Sequence, residues 1–135
     1  MSKGDVDEEI AFEVMGEYLA AFLAVEQDWG VIDSLIHART PQEALEQYVF
    51  ALRSIHRVLD KKGGIIYAHV KEVLKKVLPV DKLSLSDLIE KSSKVIESKL
   101  DRNEFKEVAL KLVERALAKY ARYHVLDIMN EGGRL

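Results

Sequence analysis

The stretch TPQEALEQYVFALRSIHRVLDKKGG, residues 40–64, carries the start and the stop of one helix and so decides what kind of chain this is. Thr40 is a capping residue, Pro41 takes the first helical position, where a missing N–H costs nothing, and Glu43 stands three residues after the cap. Leu45, Val49, Leu52, Ile55 and Leu59 then recur on one face at three- and four-residue spacing. Lys61 and Lys62 place positive charge in the last turn, where the carbonyl end of the helix favours it, and Gly63-Gly64 ends the run.

The same period extends to both sides. Ile10, Val14, Tyr18 and Phe22, flanked by Met15, Leu19 and Leu23, predict a first helix from Val6 to Gln27. Val31, Ile32, Leu35 and Ile36 fit a short segment starting at Asp28. After the central helix, Ile66, Val70, Val73 and Val77 predict a helix from Ile65 to Leu78, ended by Pro79. Ser84 with Asp87 caps the next, whose apolar face is Leu85, Leu88, Ile89, Val95, Ile96 and Leu100. Asp101 with Glu104 resembles a further reciprocal cap. The last helix runs from Arg102 to Met129 through Phe105, Val108, Leu112, Ala116, Tyr120 and Tyr123, at about 40 Å long enough to be the backbone of the domain. No alternating pattern is sustained, so the prediction is all-α: residues 1–135 as a single-domain bundle of five or six helices with a long C-terminal helix.

Charge is distributed unevenly along this frame. Residues 1–50 carry 11 acids against 2 bases and residues 51–135 carry 12 against 18, so local charges of −9 and +6 lie behind the net −3. Such a dipolar chain points to a charged partner or to acidic-on-basic stacking of like subunits. The absence of cysteine excludes disulfides, thiolate metal sites and cysteine nucleophiles. No apolar run reaches the length of a spanning helix, and the acidic start DVDEE is the opposite of a signal peptide's opening, which predicts a soluble, cytoplasmic protein. Few amides and a charged share of 32% dominated by Glu and Lys fit a thermophile source.

The basic residues form stripes. Lys71 and Lys75 are one turn apart with Lys76 adjacent, Lys91, Lys94 and Lys99 share one helix, and Lys111, Arg115, Lys119 and Arg122 recur every three or four residues along the last. Lys71, Lys75, Lys76, Lys111, Arg115, Lys119 and Arg122 are the candidate phosphate contacts, because such stripes can follow a nucleic-acid backbone. Tyr120 and Tyr123 interleave with them and can stack on bases, although core packing is the ordinary fate of at least one. The competing reading of any single stripe is a solvated face, since Glu90, Glu97, Glu104, Glu107 and Glu114 share the same helices.

Other chemistry finds no support. His56 with Asp60, His69 with Glu72 and His124 with Asp127 each supply only two ligands, and none forms a zinc or di-iron motif. The serines of residues 84–98 lack a nucleophile elbow, and Gly63-Gly64 lacks the Lys-Ser or Lys-Thr of a phosphate loop. The expectation is a chain that is not an enzyme and has no metal and no cofactor.

Residues 17–60, EYLAAFLAVEQDWGVIDSLIHARTPQEALEQYVFALRSIHRVLD, combine an apolar helix, an aromatic before Val-Ile-Asp-Ser-Leu, and Thr-Pro-Gln-Glu-Ala-Leu-Glu-Gln-Tyr followed by Ala-Leu-Arg. This third of the chain resembles the small helical subunit of archaeal type I-A CRISPR Cascade complexes. The resemblance implies a non-enzymatic subunit of an antiviral ribonucleoprotein, present in several copies beside other proteins, that helps hold single-stranded DNA or an RNA–DNA hybrid without reading its sequence. The alternative is a protein-interaction module or homo-oligomer whose acidic and basic faces meet, without nucleic acid.

Overall fold

The Asp7 carboxylate accepts the Ile10 N–H at 2.8 Å, the Thr40 hydroxyl that of Glu43 at 3.1 Å and the Ser84 hydroxyl that of Asp87 at 3.1 Å; Thr40 and Ser84 are the caps expected from the sequence, whereas Asp7 caps a helix that starts at Glu8, two residues after the expected Val6. The computed structural model describes residues 6–62, 64–77, 84–102 and 104–132. Its helices are α1 (Glu8–Glu26), α2 (Gly30–Ile36), α3 (Pro41–Lys62), α4 (Ile65–Val77), α5 (Leu85–Leu100) and α6 (Phe105–Gly132), and no strand occurs among the described residues. The side chains of Leu59, Asp60, Val77 and Leu85, together with Asp5, Gly63, Leu78, Pro79 and Gly133, lie outside the described set.

Two expected ends differ. Glu43 returns its carboxylate to the Arg39 N–H at 3.4 Å, one residue before the cap, rather than to Thr40. Asp101 does not open α6; it closes α5, its N–H bonded to the Glu97 carbonyl at 3.1 Å, and α6 begins at Phe105 after a turn at Glu104. Gln27 ends α1 in the left-handed conformation (φ 53), and Gly64 opens α4 at φ +47, where a side chain is strained whatever the space around it.

α1, not the longer α6, is the axis of the bundle. From Ala11 to Ala24 every residue except Glu13 is buried, and α3, α4, α5 and α6 all pack on α1. A helix apolar around its whole circumference has to be enclosed, and Ala11, Ala20, Ala21 and Ala24 supply the small surfaces that let four neighbours approach. One continuous core results, in which Tyr18, Phe12, Leu74, Leu88, Leu112 and Tyr123 are the largest fully enclosed side chains.

The tightest of these contacts joins α1 to α6. The two helices run parallel, since Glu9 meets Lys111, Glu13 meets Arg115 and Glu17 meets Lys119. A Cβ built on Gly16 would sit 3.0 Å from Arg115 Cβ and 3.6 Å from the Ala116 nitrogen, so glycine at that position sets how closely the axes pass.

Candidate functional site

Acidic residues of α1 and basic residues of α6 recur at the same four-residue period, and parallel packing brings them into one ladder. Lys111 Nζ lies 3.1 Å from Glu9 and 3.9 Å from Glu8, with Lys99 of α5 joining Glu8 at 3.2 Å. Arg115 bridges Glu9 at 3.0 Å and Glu13, while Lys119 bridges Glu13 at 2.7 Å and Glu17 at 3.1 Å. Arg122 stands 3.9 Å from Glu17, and the Tyr123 hydroxyl donates to the same carboxylate.

The ladder becomes drier toward its C-terminal end. Glu9 is 64% exposed, Lys119 16% and Glu17 only 3%. The Lys111 hydrogen bond and charge hold the Glu9 carboxyl below its ordinary pKa. Burial pushes Glu13 upward, but Lys119 and Arg115 outweigh it and hold that carboxyl low as well. For Lys119, burial favours the neutral amine, and the two carboxylates overcome it and raise the pKa. Burial and the Glu17 charge drive the Tyr123 phenol upward, so it stays a hydrogen-bond donor.

Four of the seven candidate phosphate contacts, Lys111, Arg115, Lys119 and Arg122, therefore face carboxylates of their own chain. The other three belong to α4. Lys71 Nζ sits 4.5 Å above the Tyr67 ring, Lys75 and Lys76 are exposed, and among the described residues no acid lies within 4 Å of them. Lys71 and Lys75 share a face, with Lys76 about a third of a turn round. The two groups thus differ in their partners: α1 carboxylates for the α6 cations, and no acid among the described residues for those of α4.

The α3 helix adds cations that the lysine stripes had overshadowed. Arg53, Arg57 and Lys61 are exposed at four-residue spacing and, among the described residues, have no acid at salt-bridge distance. Their spacing was the available signal. On α5, by contrast, Lys94 pairs with Glu90 at 3.3 Å.

A cleft of about 640 Å³ opens between α3, α4 and α5, with Glu90, Lys94 and Glu97 of α5 as its charged lining. Leu52 and His56 of α3, Tyr67 of α4, and Ile89 and Ser93 of α5 form its walls, and Tyr18 of α1 is its fully buried floor. The Tyr18 ring stands 5.9 Å from that of His56 and 6.5 Å edge-on from that of Tyr67. Among the described residues its hydroxyl has no hydrogen-bond partner; burial first, and then the neighbouring Tyr67 phenol, raise its pKa. Ser93 accepts the Tyr48 hydroxyl at 3.1 Å, which leaves its own proton to donate.

Of the expected histidine pairs, that of His56 falls on the Asp60 side chain, outside the described residues. His69 packs its ring on Tyr123 at 5.6 Å rather than engaging Glu72, and His124 stacks on Tyr120 at 5.3 Å. Tyr123 belongs to the core, whereas Tyr120 is half-buried against Trp29. Among the described residues no group of three or more His, Asp or Glu side chains is placed to hold a metal ion, and no helix is long and apolar enough to cross a membrane.

No protein-family model, curated protein or solved structure matched this chain. The assignment of function rests on its own surfaces.

Proposed function

We propose that this chain is a non-enzymatic, cytoplasmic helical subunit of a nucleic-acid-containing complex and contacts phosphate backbone through α3 and α4. The observation that carries the reading is the partition of its cations: those of α6 are matched by α1 carboxylates, while Arg53, Arg57, Lys61, Lys71, Lys75 and Lys76 have no acid at salt-bridge distance among the described residues. Unpaired cations release condensed counterions when they meet phosphates, and that release is the usual source of sequence-independent affinity. The resemblance of residues 17–60 to the small subunit of type I-A CRISPR Cascade complexes supports the same class of function. Fluorescence anisotropy with single-stranded RNA, single-stranded DNA and duplex DNA over a salt series is the test. The expected result is binding that weakens steeply with salt and is abolished in Lys71→Glu/Lys75→Glu/Lys76→Glu; unchanged binding in that variant would remove the site.

A second reading has its own observation. The outward face of α6 carries Leu110, Leu117, Val125 and Ile128, with Ala121 between them, all exposed and spaced as a seam that packs against another helix. Self-association through this seam, paired isologously with the same face of a second copy, needs no nucleic acid. The acidic and basic faces expected to join subunits are already joined to each other, so such an oligomer would resist salt and yield to Leu117→Lys. Light scattering after gel filtration in 0.1 M and 1 M salt, concentrations chosen about one Debye regime apart, reads this directly.

A further inference from the structure

The cleft between α3, α4 and α5 has features that backbone binding alone leaves unexplained. Its floor holds a phenol without a partner, Tyr18, which is fully buried. Buried hydroxyls are ordinarily bonded, and an orphan in the lining of a cleft is a donor for a guest. The walls pair apolar surface, Leu52 and Ile89, with the aromatic rings of His56 and Tyr67, and Ser93 adds a second hydroxyl. Clefts of this size and mixture suit a flat ligand with polar edges.

Charge around the cleft gives the ligand a direction. Glu90, Lys94 and Glu97 line it on the α5 side, and because Lys94 pairs with Glu90 at 3.3 Å, Glu97 is the carboxylate left there to repel phosphate. On the α4 side Lys71 Nζ lies 4.5 Å over the ring of the wall residue Tyr67, with Lys75 one turn beyond on the helix. A guest carrying phosphate next to a planar polar group would lie with the phosphate over α4 and the plane between the rings.

We infer that this cleft seats one unstacked base of a bound single strand, with Lys71 and Lys75 on the phosphates flanking it. The inference rests on the phosphate-binding reading above and deepens it: a base stacked and paired in a duplex cannot enter, so the chain prefers single strands. Tyr67 and His56 supply stacking, and the Tyr18 and Ser93 hydroxyls meet the base edge without selecting its identity.

The test uses the full chain and a ten-residue oligouridine with one central 4-thiouridine. Anisotropy first measures binding; near-ultraviolet irradiation and peptide mass spectrometry then locate the cross-link. The expected result is cross-linking to Tyr67 or His56, with Tyr67→Ala/His56→Ala weakening single-strand affinity roughly fivefold to a hundredfold while duplex affinity stays unchanged. The urea midpoint of Tyr67→Ala/His56→Ala guards against a folding defect, and Tyr67→Phe, which keeps the ring, should recover the single-strand affinity that the alanine variant loses. Cross-links confined to other segments, or absent despite binding, overturn the base seat and leave the phosphate-binding reading standing. Failure to bind the oligomer in low salt overturns both.

Discussion

Removing the Glu17 carboxylate tests how the charged ladder holds the bundle together. Glu17 is 3% exposed and meets Lys119 at 3.1 Å, Arg122 at 3.9 Å and the Tyr123 hydroxyl, itself fully buried. Breaking a buried ion pair from one side costs about 3–5 kcal/mol when the partner is left without any counter-charge. Here Lys119 keeps Glu13 at 2.7 Å and Arg122 is 51% exposed, so neither becomes a stranded charge. What remains is the orphaned Tyr123 hydroxyl, at about 1–3 kcal/mol, and the vacated space beside it. Glu17→Ala should therefore destabilise by about 3 kcal/mol, a fall of roughly 10 °C in Tm at this chain length. Glu17→Gln, which keeps an acceptor for Tyr123, should lose about half as much. Urea unfolding of both variants, and of Tyr123→Phe with each, gives the coupling between the two residues. A loss below about 0.5 kcal/mol in Glu17→Ala would refute the claim, since that is the scale of an ordinary surface change.

Other consequences are as direct. Gly16→Val forces α1 and α6 apart against the Arg115 Cβ and should cost at least about 2 kcal/mol by urea midpoint, more than the helix propensity it gains. Glu9 and Glu13 have lowered pKa values, so their contribution to stability is present above the ordinary carboxylate range and is lost as pH falls through it; Lys119 has a raised pKa, so its contribution is complete below the ordinary lysine value and is lost as pH rises beyond it. Thermal melts should accordingly show a plateau through neutral pH that falls on both sides, and a melting temperature insensitive to acid down to pH 3 would contradict the ladder. Leu117→Lys, at an exposed position of α6, should leave the melting temperature nearly unchanged while abolishing any oligomer seen by light scattering.

Helix existence was legible because it is written locally: Thr40 and Ser84 satisfy N–H groups within one turn of themselves, and the apolar period follows from burial on one side. The all-α reading followed from those signals alone. The central position of α1 was harder to see, because its apolar residues were read as one stripe, whereas Ala11, Ala20, Ala21 and Ala24 make the remaining sides burial-competent too. Small residues carry weak individual signals, yet together they decide which helix is enclosed.

The ladder was half visible. Its basic stripe on helix 6 is legible and its acidic side shows only as an excess of acids in the first half of the chain, but nothing local reveals that residues 102 to 106 positions apart will pair, so an internal match looks like an outward one. The cleft was wholly hidden, because Tyr18, His56, Tyr67 and Ser93 come from four helices and each looks like ordinary helix surface or core in its own context. Arg53, Arg57 and Lys61 had a legible period and were passed over in favour of longer lysine runs.

The most direct measurement compares salt slopes of single-strand RNA binding for two charge-neutralised variants, Lys71→Gln/Lys75→Gln/Lys76→Gln and Lys111→Gln/Arg115→Gln/Arg122→Gln. Each phosphate contact on a single strand contributes a slope of about −0.7 in log K against log salt. The account predicts that the first variant loses about two units of slope at unchanged stability, while the second keeps the parent slope and unfolds at lower urea. Loss of slope in the second variant with none in the first would place the phosphate contacts on α6 and contradict the partition of charge described above.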